Sequence, residues 1–216
     1  MNGFILHSFF RSSTSFRVRA ALGLKGIEFD QNTYNFRKNE QRSLEYLKTN
    51  PQGLVPTLTT HDGMNIPQSL AILEWLEEQY PEPALLPEDA NGRARVRSLA
   101  HAIALDVHPV NNLRILDYLK TYFAASDEAI AEWFRHWVSL GFQAVEQRLE
   151  QEMETGALCH GDSVTMADIC LTAQYVNNSR FSVDHAPYPN IQRIAEACLE
   201  LSAFKAAMPA AQPDAV

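Results

Sequence analysis

Arg11-Ser12-Ser13-Thr14-Ser15 sets four consecutive hydroxyl side chains behind one arginine. At the start of a helix, hydroxyls sit beside backbone N–H groups that the helix itself cannot pair, at the positive end of its dipole. An anion gains from both, and a thiol held there loses its proton more readily. Such a segment can hold a thiolate or another small anion. The same residues also read as a helix cap with surplus serines.

Two further segments carry comparable signals. In Asn50-Pro51-Gln52-Gly53-Leu54-Val55-Pro56, the last proline precedes a strand-like run, which makes Val55–Pro56 a candidate for the cis isomer. A cis bond would turn the N–H and C=O of Val55 outward, where an extended peptide could pair with them as with a sheet edge. An ordinary turn proline is the plainer reading. In Pro67-Gln68-Ser69-Leu70, Gln68 and Ser69 lead a helix, so a ligand carboxylate could rest on the Ser69 hydroxyl and nearby N–H groups. By itself Ser69 is a helix cap.

The elements that must position these residues fall into two halves. Phe4 to Ser8 is a short apolar-rich run; Val18, Ala21 and Leu22 mark a helical face ending at Gly26. Glu28 to Tyr34 returns as a strand, and a polar helix with Leu44 and Leu47 ends at Asn50-Pro51. Thr57–Thr60 and Met64–Ile66 form a hairpin around Asp62-Gly63. Ile72, Leu73 and Leu76 lie on one side of a helix that Pro81 stops. The predicted order is β-α-β-α-β-β-α over residues 1–82, followed by a proline-rich linker at 83–90.

Residues 91–216 read as all-helical, with patterns near 93–122, 127–154, 166–179 and 191–201. Thr165-Met166-Ala167-Asp168 ahead of an apolar run predicts a capping box, with Asp in the Glu position. The tail from Pro209, rich in Ala and Pro, is expected to fray. Cys159, Cys170 and Cys198 have no metal or redox spacing and read as core thiols; no metal site is expected.

A hydrophobic fraction of 46% excludes global disorder, and a net charge of −8 weighs against nucleic acid as a partner. An anionic ligand therefore needs a local cluster of arginines set against the overall field. Without a signal-peptide layout or a membrane-length apolar run, a cytoplasmic protein is expected.

Taken together, the order of elements resembles the thioredoxin-like N-terminal domain of the glutathione transferase superfamily, followed by that family's helical C-terminal domain, over essentially the whole chain. Arg11–Arg19, Arg-Ser-Ser-Thr-Ser-Phe-Arg-Val-Arg, is similar to the zeta-class signature Ser-Ser-Cys-Ser-Trp-Arg-Val-Arg, with Thr14 in place of cysteine and Phe16 in place of tryptophan. Asp106-Val107-His108-Pro109-Val110-Asn111-Asn112-Leu113-Arg114 also resembles the zeta class, where Gln is frequent at the His108 position, and Arg180 stands in a segment similar to one whose arginine reaches the substrate.

The resemblance implies glutathione as cofactor and a small dicarboxylate as substrate, with no nucleic-acid or membrane partner and a homodimeric assembly. Ser12 is then the hydroxyl nearest the glutathione sulfur, with Ser13 and Thr14 beside it. Val55, Gln68 and Ser69 make its backbone, glutamyl and carboxylate contacts, with Gln41 and His108 in the same site. Arg11, Arg114 and Arg180 form an anion clamp suited to the two carboxylates and keto oxygen of a maleyl keto acid. The implied reaction is glutathione-dependent cis-trans isomerisation of maleylacetoacetate or maleylpyruvate. Thr14 and the His-Pro-Val-Asn-Asn run look closer to the bacterial maleylpyruvate enzymes. The alternatives are a general transferase conjugating electrophiles and a non-catalytic glutathione-fold binding module. The lack of cysteine in the N-terminal half weighs against a thioredoxin-type redox enzyme.

Overall fold

The computed structural model describes residues 3–215. Its contacts divide the chain into two units, one running up to Leu85 and resuming from Leu199, the other spanning Leu86–Cys198.

In the first unit, β1 (Phe4–Ser8), α1 (Ser13–Leu24), β2 (Phe29–Thr33), α2 (Leu44–Thr49), β3 (Thr57–Thr59), β4 (Asn65–Pro67) and α3 (Ser69–Gln79) follow the predicted order. The four strands form one mixed sheet in the order β2-β1-β3-β4. β1 runs parallel to β2, with Phe4 opposite Phe29, and antiparallel to β3, with Leu6 opposite Leu58. Phe4 and Leu6 turn into the core, as alternation along a strand requires. α1 is buried on most of its surface, and Phe16, Val18, Ala20, Ala21 and Leu22 are almost wholly enclosed.

The chain end departs from expectation. Residues 199 onward, counted in the sequence with the helical half, pack on the first unit. Instead of fraying at Pro209, the tail is held. The short helix α10 (Ser202–Ala207) lies against α1. Gln212 then donates to the carbonyls of Ala206 and Met208 at 2.7 and 2.9 Å. A Cβ on Gly23 would stand 3.1 Å from that of Ala203, so the two helices meet where glycine leaves room.

The second unit contains α4 (Ala90–His101), α5 (His108–Val110), α6 (Leu113–Tyr122), α7 (Asp127–Gln151), α8 (Met166–Asn178) and α9 (Pro189–Leu199). The single helix expected over 93–122 is broken by a π-helical stretch at Ala102–Val107. Pro109 lacks an N–H and its ring crowds the carbonyl four residues back, so a regular helix cannot pass through it. The turn ahead of it widens, and the His108 N–H reaches the Ile103 carbonyl, five residues back. Asn111 ends this short segment, and Asn112 caps α6 by accepting from the Arg114 N–H. α7 passes close to the widened turn: a Cβ on Gly141 would lie 2.1 Å from a methyl of Val107. Cys159, Cys170 and Cys198 are buried and not joined in disulfides, and burial pushes Cys198 up to about 12.

Candidate functional site

In the first unit the loop after β1 delivers Ser12 as the N-cap of α1. Its Oγ accepts the Ser15 N–H at 3.0 Å and lies 2.8 Å from Thr14 Oγ1. Thr14 in turn donates its hydroxyl proton to the Val55 carbonyl at 3.1 Å. Because that proton is committed, Ser12 is the donor between the two hydroxyls. The result is a directed chain from Ser15 through Ser12 and Thr14 to Val55.

The Val55–Pro56 bond is cis, as the sequence suggested. One correction follows from the hydroxyl chain. The Val55 carbonyl is not simply turned outward, since it accepts from Thr14; among the described residues the Val55 N–H has no hydrogen-bond partner. The preceding turn is anchored from below. Tyr46 Oη and Asn50 Nδ2 donate to the Leu54 carbonyl at 2.6 and 2.8 Å.

Gln68 and Ser69 open α3. Gln68 is exposed and has φ +73°, a conformation uncommon outside glycine; strained backbone of this kind collects at ligand sites. Its Nε2 donates to Gln52 Oε1 at 2.8 Å. Ser69 is buried and accepts from Arg17 Nη1 at 3.3 Å, which ties α3 to the middle of α1. Gln41 is buried beside the turn at Gly53, whose Cβ, if present, would lie 3.0 Å from the Gln41 carbonyl. The Gln41 side-chain oxygen has no hydrogen-bond partner among the described residues. Ser13 is buried in the first turn. The first unit thus brings Ser12, Ser13, Thr14 and Val55 together, and couples Ser69 to α1 through Arg17 and Gln68 to the Gly53 turn through Gln52.

Arg11 is exposed, its guanidinium carbon 5.0 Å from the centre of the Phe10 ring. It lines a cavity of about 260 Å³ with Phe9, Tyr34, Arg37 and Asp214. Behind this cavity Tyr34 meets His7. Thr59 donates to Asn65 Oδ1 at 2.6 Å, so it accepts from His7 Nε2 at 3.0 Å. His7 Nδ1 is then left to accept from Tyr34 Oη at 2.6 Å. Burial lowers the His7 pKa below 6.5. Between that lowered value and 6.5 the unfolded chain binds more protons, so this contribution to stability is complete above pH 6.5 and lost as pH falls through the window. Denaturation midpoints measured from about pH 7 to about pH 5 are expected to fall more in the wild type than in His7→Gln.

The second unit carries the other expected residues. His108 is half-buried, with Nε2 3.3 Å from Asn112 Nδ2. Arg114 is exposed on the first turn of α6, and Arg180 is exposed just past α8, its guanidinium carbon 5.4 Å from the centre of the Phe181 ring. Both arginine-bearing segments converge on one turn of α7. Trp133 Nε1 donates to the Val110 carbonyl at 3.0 Å, and the Phe134 ring stacks on Phe181 with centroids 4.0 Å apart.

Sequence reasoning missed Arg17 and Arg19 as structural ligands, along with the anchors Tyr46, Asn50 and Asp214. Arginine on a helix ordinarily reads as solvated charge. Only the structure shows that their helix is buried almost all round.

Comparison with known proteins completes these observations. The model of the glutathione S-transferase N-terminal domain matches residues 11–79. A maleylpyruvate isomerase of Ralstonia sp is 48% identical over 97% of this chain and 98% of its own. A holo structure of maleyl pyruvate isomerase, a bacterial glutathione S-transferase of the zeta class, superposes with a TM-score of 0.96 at 46% identity, covering 98% of this chain and 100% of that one. A maleylacetoacetate isomerase from Methylobacterium extorquens AM1, with bound malonate and glutathione, gives a TM-score of 0.95 at 40% identity over 98% of this chain and 99% of its own.

Proposed function

Since this chain belongs to the zeta class of the glutathione S-transferase family, we propose that it catalyses glutathione-dependent cis-trans isomerisation of a maleyl keto acid, either maleylpyruvate or maleylacetoacetate. The observation that carries this reading is the hydroxyl chain at the start of α1, with Ser12 free to turn its proton from Thr14 to a sulfur.

The residues present fit glutathione. An extended tripeptide needs main-chain and polar partners, and the first unit offers the Val55 N–H and the buried oxygen of Gln41, neither with a hydrogen-bond partner among the described residues. Gln68 and Ser69 stand at the start of α3, where the γ-glutamyl carboxylate is recognised by hydroxyl and helix N–H groups. When bound, glutathione would supply a thiolate nucleophile for reversible addition to the conjugated double bond, the chemistry that cis-trans isomerisation needs.

The chain's own residues do the rest. Ser12 donates to the sulfur and, with the positive end of α1, lowers its pKa. The Ser15 N–H holds the Ser12 oxygen in place while its proton turns. In this reading the guanidinium groups of Arg11, Arg114 and Arg180 serve the carboxylates and the keto oxygen of the substrate. His108 supplies a further hydrogen bond to glutathione. The same reading makes the protein a cytoplasmic homodimer, for which sedimentation is expected to return twice the chain mass.

A paired assay tests the proposal: purified protein with maleylpyruvate and with maleylacetoacetate, each with and without glutathione. Strictly glutathione-dependent isomerisation is expected, and the ratio of kcat/KM between the two identifies the substrate. Glutathione binding without turnover of either would leave conjugation or a binding module. In the same assay Arg180→Ala is expected to raise the keto acid KM about tenfold with kcat within about twofold, the pattern of a lost binding contact.

A further inference from the structure

We propose that Asp214, in the C-terminal tail, is a positioning residue for the loop carrying Arg11 and Ser12, so that the far end of the chain sets the efficiency of the chemical step. This rests on the reaction proposed above.

The loop from Phe9 to Ser12 lies between β1 and α1, so neither the sheet nor the helix pairs the peptide groups of Phe10. Both are nevertheless satisfied. The Phe10 N–H donates to Asp214 Oδ2 at 3.0 Å, across 204 residues of sequence. The Phe10 carbonyl accepts from Arg19 Nη2 at 3.2 Å. Arg19 is 3% exposed and spreads its remaining donors over Ser8 Oγ at 3.0 Å and the Ala207 carbonyl at 3.1 and 3.0 Å. One buried guanidinium thus fastens the end of β1, the loop and the end of α10 together.

Asp214 has a second role beside this clamp. Burial lowers the Arg19 pKa to about 10, and the Asp214 charge acts against that shift. The carboxylate accepts from the loop, and its negative charge favours the buried guanidinium that holds the other side of the same peptide. The other oxygen of Asp214 is buried, with no hydrogen-bond partner among the described residues, which leaves the Phe10 N–H as the acid's one hydrogen-bond donor there.

The tail is seated without Asp214. α10 docks on α1 through Phe204, whose ring centroid is 6.2 Å from that of Phe16, and through the close approach of Ala203 to Gly23. Gln212 fixes the turn after it through Gln31 and the carbonyls of Ala206 and Met208. The bond from Asp214 is therefore not needed to hold the tail. What it adds is a fixed direction for the peptide next to Arg11 and two residues from Ser12. Reacting groups misplaced by about 1 Å can lose on the order of a hundredfold in rate.

Asp214→Ala and Asp214→Asn test this, with steady-state kinetics, glutathione titration and amide-resolved hydrogen exchange. Asp214→Ala is expected to lower kcat about tenfold, with glutathione affinity and keto acid KM changed less than about threefold. Exchange at the Phe10 amide should speed up at least about tenfold while the amides of α10 keep wild-type protection. Asp214→Asn, which retains an acceptor oxygen, should recover most of the lost kcat. The proposal is overturned by an Asp214→Ala variant with wild-type kcat and Phe10 exchange. It is equally overturned if α10 protection and glutathione binding vanish together with activity, which would make Asp214 a fold anchor. Exchange is read without substrate, so a wild type inactive on both keto acids would refute the proposed reaction and leave the loop measurement decisive.

Discussion

Replacing Ser12 by alanine is expected to lower kcat about a hundredfold while the glutathione Kd moves less than about threefold, because one preorganised donor to a developing or resident anion is worth on the order of a hundredfold to a thousandfold. The small change in Kd follows from the number of other partners available to the tripeptide at Val55, Gln68 and Ser69. Ser12 also caps α1, so the variant loses about 1 kcal/mol of stability, which a melting curve reports separately. Thr14 cannot take over without abandoning the Val55 carbonyl, to which its single proton is given at 3.1 Å. Ser12→Thr, which keeps a hydroxyl, should recover most of the rate. Equal and small changes in kcat and Kd for Ser12→Ala would remove this hydroxyl from the chemistry.

The largest stability effect is expected at Asp168, in the second unit. This carboxylate is fully buried and accepts three hydrogen bonds at 2.7 Å: the Cys159 N–H at one oxygen, the Thr165 N–H and Thr165 Oγ1 at the other. Removing it strands buried donors, and each unsatisfied group costs about 1–3 kcal/mol. Asp168→Ala is therefore expected to destabilise the protein by about 3 kcal/mol or more, measured by denaturant titration. Asp168→Asn should be nearly as damaging. Both carboxylate oxygens face donors, so either orientation of the amide sets its NH2 against an N–H. A loss below about 1 kcal/mol for Asp168→Ala would mean that water or a rearranged turn replaces the carboxylate.

That capping box was legible in the sequence because capping is local: Thr165 and Asp168 are three residues apart and announce a helix by themselves. The same holds for the hairpin at Asp62-Gly63 and for Pro56, where one residue restricts the backbone. Ser12 as the helix cap was likewise readable from type and position. What escaped was set by partners far along the chain. An Ala- and Pro-rich tail gives no periodic pattern, and its docking depends on Phe16, Gly23 and Gln31, far earlier in the chain. Arg17 and Arg19 were hidden for a related reason. A cation in a helix is ordinarily solvated, and only the packing of α3 and α10 against α1 turns these two inward. The Val55 carbonyl was misjudged because its partner, Thr14, departs from the expected cysteine, and a thiol would have been a much weaker donor to it. The π-helical stretch left only half a signal. Pro109 warned that the helix could not continue unchanged, without saying whether the chain would kink, stop or widen.

The widened turn before His108 amounts to one residue more than a regular helix would hold. A helix advances by about 100° per residue, so that extra residue sets the rotational phase of everything that follows it. Deleting Ala104 or Leu105 would remove that extra residue and leave every side chain from His108 to Arg114 chemically intact. Each would nonetheless be rotated by more than a quarter turn about the axis, with Asn111 carried away from its place against Phe134 and Val110 away from Trp133. The segment is thus specified by its count as much as by its composition: a gap of a single residue here would silence the motif without substituting any part of it.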